Sequence, residues 1–193
     1  YAEYMVAPAA FCGHIPDHVD MYAIAPILCA GVTTYRGLKR TGAKPGQWLA
    51  VIGIGGLGHI AIQYARAMGM RVAAIDVSDE KLAHAKRLGA EVLVDARGND
   101  PGAEVKEKTG GGAHGAVVTA VSARAFEQSI TMLRPAGAVS FIGLPGGDAD
   151  LIRLSIGQIV NGEYSIRGSN VGTRQDLNEA VAFAARGQVK ADI

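Results

Sequence analysis

Two cysteines, Cys12 and Cys29, are all that the 193 residues contain. They cannot form a disulfide framework, so a reducing, cytoplasmic setting is expected. Aromatic residues are also scarce at 6%, and 19 basic against 18 acidic side chains leave a formal charge of only +1. With no basic cluster either, nucleic acid is excluded as the main partner. No unbroken apolar stretch approaches the roughly 18 residues of a membrane span, because Arg, Lys, Asp or Gly interrupts every candidate. No membrane partner is therefore expected. The opening Tyr1-Ala2-Glu3-Tyr4 has neither a basic n-region nor a leading methionine, so no signal peptide is expected and the chain reads as cut from something longer. Sustained internal repeats and low-complexity tracts are missing too. What is abundant is apolar side chain, at 49%, which suits a compact soluble domain with a real core rather than a disordered chain.

The stretch with the most chemical content is Val51-Ile52-Gly53-Ile54-Gly55-Gly56-Leu57-Gly58, which reads G-x-G-x-x-G with one extra glycine. Trp48 to Ile52 before it is an apolar run of strand length. Leu57 to Met68 after it repeats apolar residues at helical spacing (Leu57, Ile60, Ala61, Tyr64, Ala65, Met68). In such a strand–turn–helix, Gly53 permits the tight turn, Gly55 lets backbone approach a pyrophosphate, and Gly58 lets the helix pack closely on the strand. The free N–H groups at the positive end of the helix then face a diphosphate. A second apolar run, Arg71 to Ile75, ends in Asp76, 18 residues after Gly58. That is close to the roughly 20 expected for the acid that accepts hydrogen bonds from an adenosine ribose. Asp76 is not needed as a helix cap, because Ser78 can cap the next helix with Asp79 and Glu80 in its first turn.

The rest of the chain fits this centre. Tyr1 to Phe11 reads as a strand or extended crossover, Gly13 to Asp17 as a turn, and Asp20 to Leu38 as a helix stopped by Gly42 and Pro45. Within that helix, composition alone makes Cys29 a buried core thiol. Ser78 to Leu88 is the next helix and Glu91 to Val94 a third strand. Pro101 to Thr109 is a charged helix, Gly110-Gly111-Gly112 a break, and Gly115 to Ala120 a fourth strand whose unbroken apolar run suits a buried parallel position. A helix capped by Ser122 runs to Leu133, and Pro135-Ala136-Gly137 turns into a fifth strand, Ala138 to Ile142. Gly143 to Asp150 is a loop, Tyr164 to Ser169 a sixth, edge strand, and Gln175 to Arg186 a closing amphipathic helix. The expected fold class is α/β, a doubly wound parallel sheet of six strands in the order 3-2-1-4-5-6. Residues 1–19 would be a lead-in, 20–172 the dinucleotide-binding domain, and 173–193 a helix with the start of a return.

Three segments taken together, Ala25-Pro26-Ile27-Leu28-Cys29-Ala30-Gly31-Val32-Thr33, then Val51 to His59 with Asp76 and Lys81, then Gly168-Ser169-Asn170-Val171-Gly172-Thr173-Arg174, resemble the zinc-dependent alcohol dehydrogenases of the medium-chain superfamily. The resemblance runs the whole length and is closest to the microbial, NAD-using branch. It implies a Rossmann cofactor domain with flanking remnants of a catalytic domain. Residue by residue, it makes Cys29 a catalytic zinc ligand, reversing the core-thiol reading, and brings Thr33, one helical turn on, to the nicotinamide. Gly55, Gly56 and Leu57 would cradle the pyrophosphate, and Asp76 and Lys81 would hold the adenosine ribose. Val121 and the backbone near Ile142 and Leu144 would line the nicotinamide side, and Arg174 would pair with the pyrophosphate. A cation at a helix start is otherwise unfavourable against the dipole. In the parent, zinc would act as a Lewis acid on the alcohol while NAD takes the hydride. The carboxylate of Asp76, followed by uncharged Val77, favours NAD over NADP. The edge strand Tyr164 to Ser169 implies a homo-oligomer.

One departure stands out. The family's other zinc ligands and its four-cysteine structural lobe belong to an N-terminal half with no counterpart here, and a catalytic zinc needs about three protein ligands. His14, His18, His59, His84 and His114 show no ligand spacing with Cys29. The fragment alone is therefore expected to be inactive, and an apolar face is expected to lie open near Cys29 and Thr33. Alternatives are a zinc-free quinone or enoyl reductase of the same superfamily, against which Cys29 in its context argues, a stand-alone NAD-binding regulatory module, and a methyltransferase. The last usually lacks the third glycine and the later arginine.

Overall fold

The computed structural model describes residues 2–192. Tyr1 of the lead-in and Ile193 of the return segment lie outside the described residues. Six strands, β1 (Trp48–Ile52), β2 (Arg71–Asp76), β3 (Val92–Asp95), β4 (Ala113–Val118), β5 (Leu133–Phe141) and β6 (Ser165–Gly168), form one sheet in the order β3-β2-β1-β4-β5-β6. Every pairing is parallel, as the apolar runs of β1, β2 and β4 require when both faces are covered. Alternation along β1 sorts the two faces. Leu49 and Val51 pack with α2 (Ala30–Thr41), α3 (Gly58–Ala67), α4 (Asp79–Arg87) and α8 (Arg174–Ala185), while Trp48, Ala50 and Ile52 pack with α5 (Pro101–Thr109) and α6 (Ala123–Thr131). Each large aliphatic side chain so buried contributes roughly 1.5–3 kcal/mol relative to exposure. The chain runs out to β3 on one side of β1 and returns to β4 on the other. This reversal makes the carboxyl end of β1 the switch point where doubly wound sheets bind ligands.

Four sequence expectations are corrected. The single helix over Asp20 to Leu38 is broken: α1 (Met21–Ile24) passes into a 3-10 turn at Ala25–Leu28, and α2 begins only at Ala30. Pro26 lacks an N–H and crowds the preceding turn, and Cys29 sits at the break with φ −122° and ψ −72°. Strand β4 starts two residues earlier than expected. It also stops at Val118, because the amides of Thr119 and Ala120 both turn onto the carbonyl of Ile52 at 2.9 and 3.2 Å. Helix α6 ends at Thr131. Leu133 already pairs with Ala113, and Pro135-Ala136-Gly137 is an irregularity inside β5, with Ala136 at φ 59°, after which the ladder resumes at Ala138 opposite Gly115. Finally, α7 (Ile156–Gly162), capped by Ser155, occupies a stretch with no assigned element.

Elsewhere the punctuation holds. Ser78 accepts the amide of Lys81 to cap α4, Gly42 closes α2 in the left-handed region, and β6 is the sheet edge. The lead-in over 2–19 is irregular and largely exposed, with a 3-10 turn at Ala9–Phe11, and no helix among the described residues is long and apolar enough to cross a membrane.

Candidate functional site

A cleft of about 460 Å³ opens beyond the carboxyl ends of β1, β2 and β4, lined by Gly53, Gly55, Asp76, Lys81, Thr119 and Val121 among others. Its floor is the glycine turn. Gly53 has φ +88°, and a Cβ there would meet the amide nitrogen of Ala120 at 2.7 Å, so no other residue fits without displacement. A Cβ on Gly58 would overlap the carbonyl oxygen of Gly53 and lie 3.3 Å from Thr119 Oγ1. The helix therefore lies directly on the strand end. Thr119 Oγ1 donates to that same carbonyl at 2.6 Å, pinning the turn from β4. Gly55 and Gly56, by contrast, face open space. No hydrogen bond among the described residues engages the amides of Gly55, Gly56, Leu57 or Gly58. These are the orphan donors of the first turn of α3, carrying the positive end of its dipole.

Asp76 is only 6% exposed, and its carboxylate has a structural task that sequence reasoning missed. Oδ2 accepts the amide of Ile54 at 2.6 Å and Oδ1 accepts that of Ser78 at 3.0 Å. One side chain thus ties the glycine turn to the start of α4. Each carboxylate oxygen keeps a further lone pair for a ligand hydroxyl. Lys81 enters the cleft from α4. Arg97 and Arg124 also line it. Arg97 is held by Asp79 at 2.8 Å and Asp95 at 2.7 Å, and its hydrogen bonds hold the Asp95 carboxyl below the usual carboxylate range. Neither arginine carries a motif, so no sequence signal marked them.

Ile142 and Leu144 line a second cleft of about 430 Å³ with Ser169 and Asn170, beyond β5 and β6. Val121, grouped with them by resemblance, instead lies in the first cleft. Cys29, Thr33 and Arg174 line neither. Cys29 is exposed, which corrects the core-thiol reading from composition, and the amide of Thr33 donates to its carbonyl at 3.0 Å, one turn on. Met21 and Tyr22, on the short helix before the break, are exposed large apolar residues. No group of three His, Cys, Asp or Glu among the described residues is placed to hold a metal ion. The described residues do not by themselves fit a zinc site.

Arg174 opens α8, exposed, beside a dense ionic knot. Asp176 closes a capping box with Thr173 and pairs with Arg36 and Lys39, each at 2.9 Å. Burial works to raise its pKa, but the amide and hydroxyl of Thr173 with the two cations outweigh it and hold the carboxyl well below the usual range. Nearby, burial and the hydrogen bond to Glu179 push the Tyr35 phenol up to about 12. The knot fixes α8 against α2, the helix that follows Cys29.

The zinc-binding dehydrogenase family model matches residues 56–186. An alcohol dehydrogenase of Moraxella sp. (strain TAE123) is 55% identical over 193 residues, which is 100% of this chain and 56% of that protein. One from Rhizobium meliloti (strain 1021) is 51% identical over 99% of this chain and 55% of its own length. The crystal structure of the alcohol dehydrogenase from the archaeon Aeropyrum pernix superposes with a TM-score of 0.82 at 35% identity, covering 92% of this chain and 52% of that one. The chain thus spans little more than half the length of the relatives it matches. With the family model covering well over half of the chain, and the glycine turn, acidic strand end and parallel sheet all in place, the chain belongs to the zinc-binding dehydrogenase family.

Proposed function

We propose that this chain is the cofactor-binding portion of an NAD-dependent, zinc-dependent alcohol dehydrogenase, which transfers hydride between a primary or secondary alcohol and NAD. The observation that carries the reading is that Gly55, where the run of unengaged amides from Gly55 to Gly58 begins, lines one cleft at the switch point together with Asp76. The amides and helix dipole would bind the diphosphate. Asp76 would accept the ribose hydroxyls, joined by Lys81, and would repel a 2′-phosphate, which selects NAD over NADP. Thr33, Val121 and the backbone near Ile142 and Leu144 would orient the nicotinamide, and Arg174 would pair with the diphosphate. The contribution of this portion is positional.

Zinc would supply Lewis-acid polarisation of the alcohol in the longer protein. Cys29 would give one ligand, and the remainder would come from the part of the relatives that this chain does not span. The portion alone is then a cofactor binder without turnover. Residues 20–172 would be the cofactor domain, with 1–19 and 173–193 leading to the rest of a cytoplasmic enzyme. The exposed edge at β6 would pair across a two-fold axis in a homo-oligomer. Titration with NADH and NADPH tests the cofactor reading. NADH should bind at micromolar concentration, NADPH at least about tenfold more weakly, and ADP should compete. Absence of NADH binding, or equal affinity for the two, would refute it.

A further inference from the structure

His59 has no place in the function described above, yet it is 7% exposed and saturated with contacts. Its Nδ1 lies 3.0 Å from the carbonyl oxygen of Gly55, which also accepts the His59 amide at 3.1 Å. On the other side of the ring, Nε2 accepts the amide of Asp192 at 3.1 Å. A backbone amide can only donate, so Nε2 is the bare nitrogen and Nδ1 carries the proton. The imidazole is thus a neutral strut from the glycine turn to the end of the chain. That end is held further by Gln63, which donates to the carbonyl of Lys190 at 2.7 Å and accepts its amide at 2.9 Å.

The strut has a consequence on the opposite side of the peptide. The bond between Gly55 and Gly56 is trans, so the amide of Gly56 points away from the carbonyl that His59 grips. Without the imidazole, a peptide between two glycines with open space around both is held only by the helix bond from the His59 amide to the Gly55 carbonyl.

We propose that His59 is a positioning residue. It locks the Gly55–Gly56 peptide so that the Gly56 amide is aimed at the diphosphate before the cofactor arrives, and it joins that peptide to the return segment at Lys190 to Asp192. The inference rests on the dinucleotide reading of the cleft.

Binding of ADP and of adenosine to the full-length protein, with thermal melting, tests it through three variants. His59→Leu, which keeps neither bond, should weaken ADP and NADH binding about five- to tenfold, the scale of one lost hydrogen bond with an unsatisfied partner. Adenosine affinity should not change, and KM for NAD should rise with kcat unaltered. His59→Asn retains a donor near the Nδ1 position and should restore most of the ADP affinity. His59→Gln places an acceptor near the Nε2 position and should restore the melting temperature without restoring ADP affinity. The proposal is overturned if His59→Leu binds ADP as the wild type does, if it loses ADP and adenosine alike, or if Asn and Gln fail to divide the two effects. A wild-type protein that binds neither ADP nor NADH would remove the dinucleotide reading itself, and this proposal with it.

Discussion

Two glycines three positions apart should respond to alanine in opposite ways. At Gly58 the new Cβ would sit 2.9 Å from the carbonyl carbon of Gly53 and closer still to its oxygen. The helix start and strand end must then part by about 1.5 Å to regain ordinary contact distance. Such overpacking costs about 1–3 kcal/mol. The shift also breaks the 2.6 Å bond from Thr119 Oγ1 to Gly53, worth about 1 kcal/mol. A total of about 2–4 kcal/mol corresponds to roughly 5–15 °C in Tm for a chain of this size. At Gly55 nothing lies within 4 Å of the added carbon and φ is not positive. Gly55→Ala should leave the free protein as stable, or about 0.4–1 kcal/mol more stable through the unfolded state. It would nevertheless put a methyl group where a diphosphate must come close, and ADP affinity should fall by at least about tenfold, or 1.4 kcal/mol. Calorimetric melting combined with ADP titration separates the two. If Gly55→Ala melts early, or binds ADP like the wild type, the assignment of open space at Gly55 to a ligand phosphate is wrong.

Four further outcomes are expected. Asp76→Gly with Val77→Arg should move preference towards NADP and, by stranding the amides of Ile54 and Ser78, cost about 1–3 kcal/mol in denaturant titration; an unchanged NAD to NADP ratio would remove Asp76 from the ribose. Because Asp176 is held below the usual carboxylate range in the fold, its contribution is complete above about pH 4 and lost as pH falls through the acid range below that. Asp176→Asn should cost about 2–3 kcal/mol at neutral pH and flatten the acid limb of a stability profile, whereas a parallel limb would show that the knot does not titrate. Cys29→Ser in the full-length protein should reduce bound zinc, read by metal analysis, and abolish turnover while ADP affinity is unchanged; undiminished zinc would exclude the thiol as a ligand. Scattering at high concentration should report an oligomer of the full-length protein, and a monomer would discard the β6 edge as an interface.

The centre of the sheet was legible in the sequence because its strands are buried on both faces. Continuous apolar runs such as Trp48 to Ile52 and Arg71 to Ile75 leave no alternating pattern to misread. Helix starts set by a cap or by a proline in the first turn were also legible, as at Ser78 and Pro101. What could not be read depended on the balance of competing local signals or on partners far along the chain. The broken helix needed the consequence of Pro26 to outweigh an unbroken helical period, and the early start of β5 depended on Leu133 finding Ala113 across the sheet. In the candidate site the spacing from Gly58 to Asp76 gave the residue but not its bonds. The hold of Asp76 on Ile54 exists only once β1 and β2 lie side by side, whereas its bond to Ser78 is local. Arg97 reaches the cleft from a turn after β3, and Arg124 from the first turn of α6, and no motif marks either as a cleft residue.

With Asp76 in its proposed role at the ribose, the two backbone amides fastened to it mean that coenzyme preference is not an independently adjustable trait. A designer who replaces that acid to admit a phosphorylated sugar also unties a knot between the loop and the following helix. A substitute acceptor must be installed first, and the order of the changes then decides whether the intermediate proteins survive.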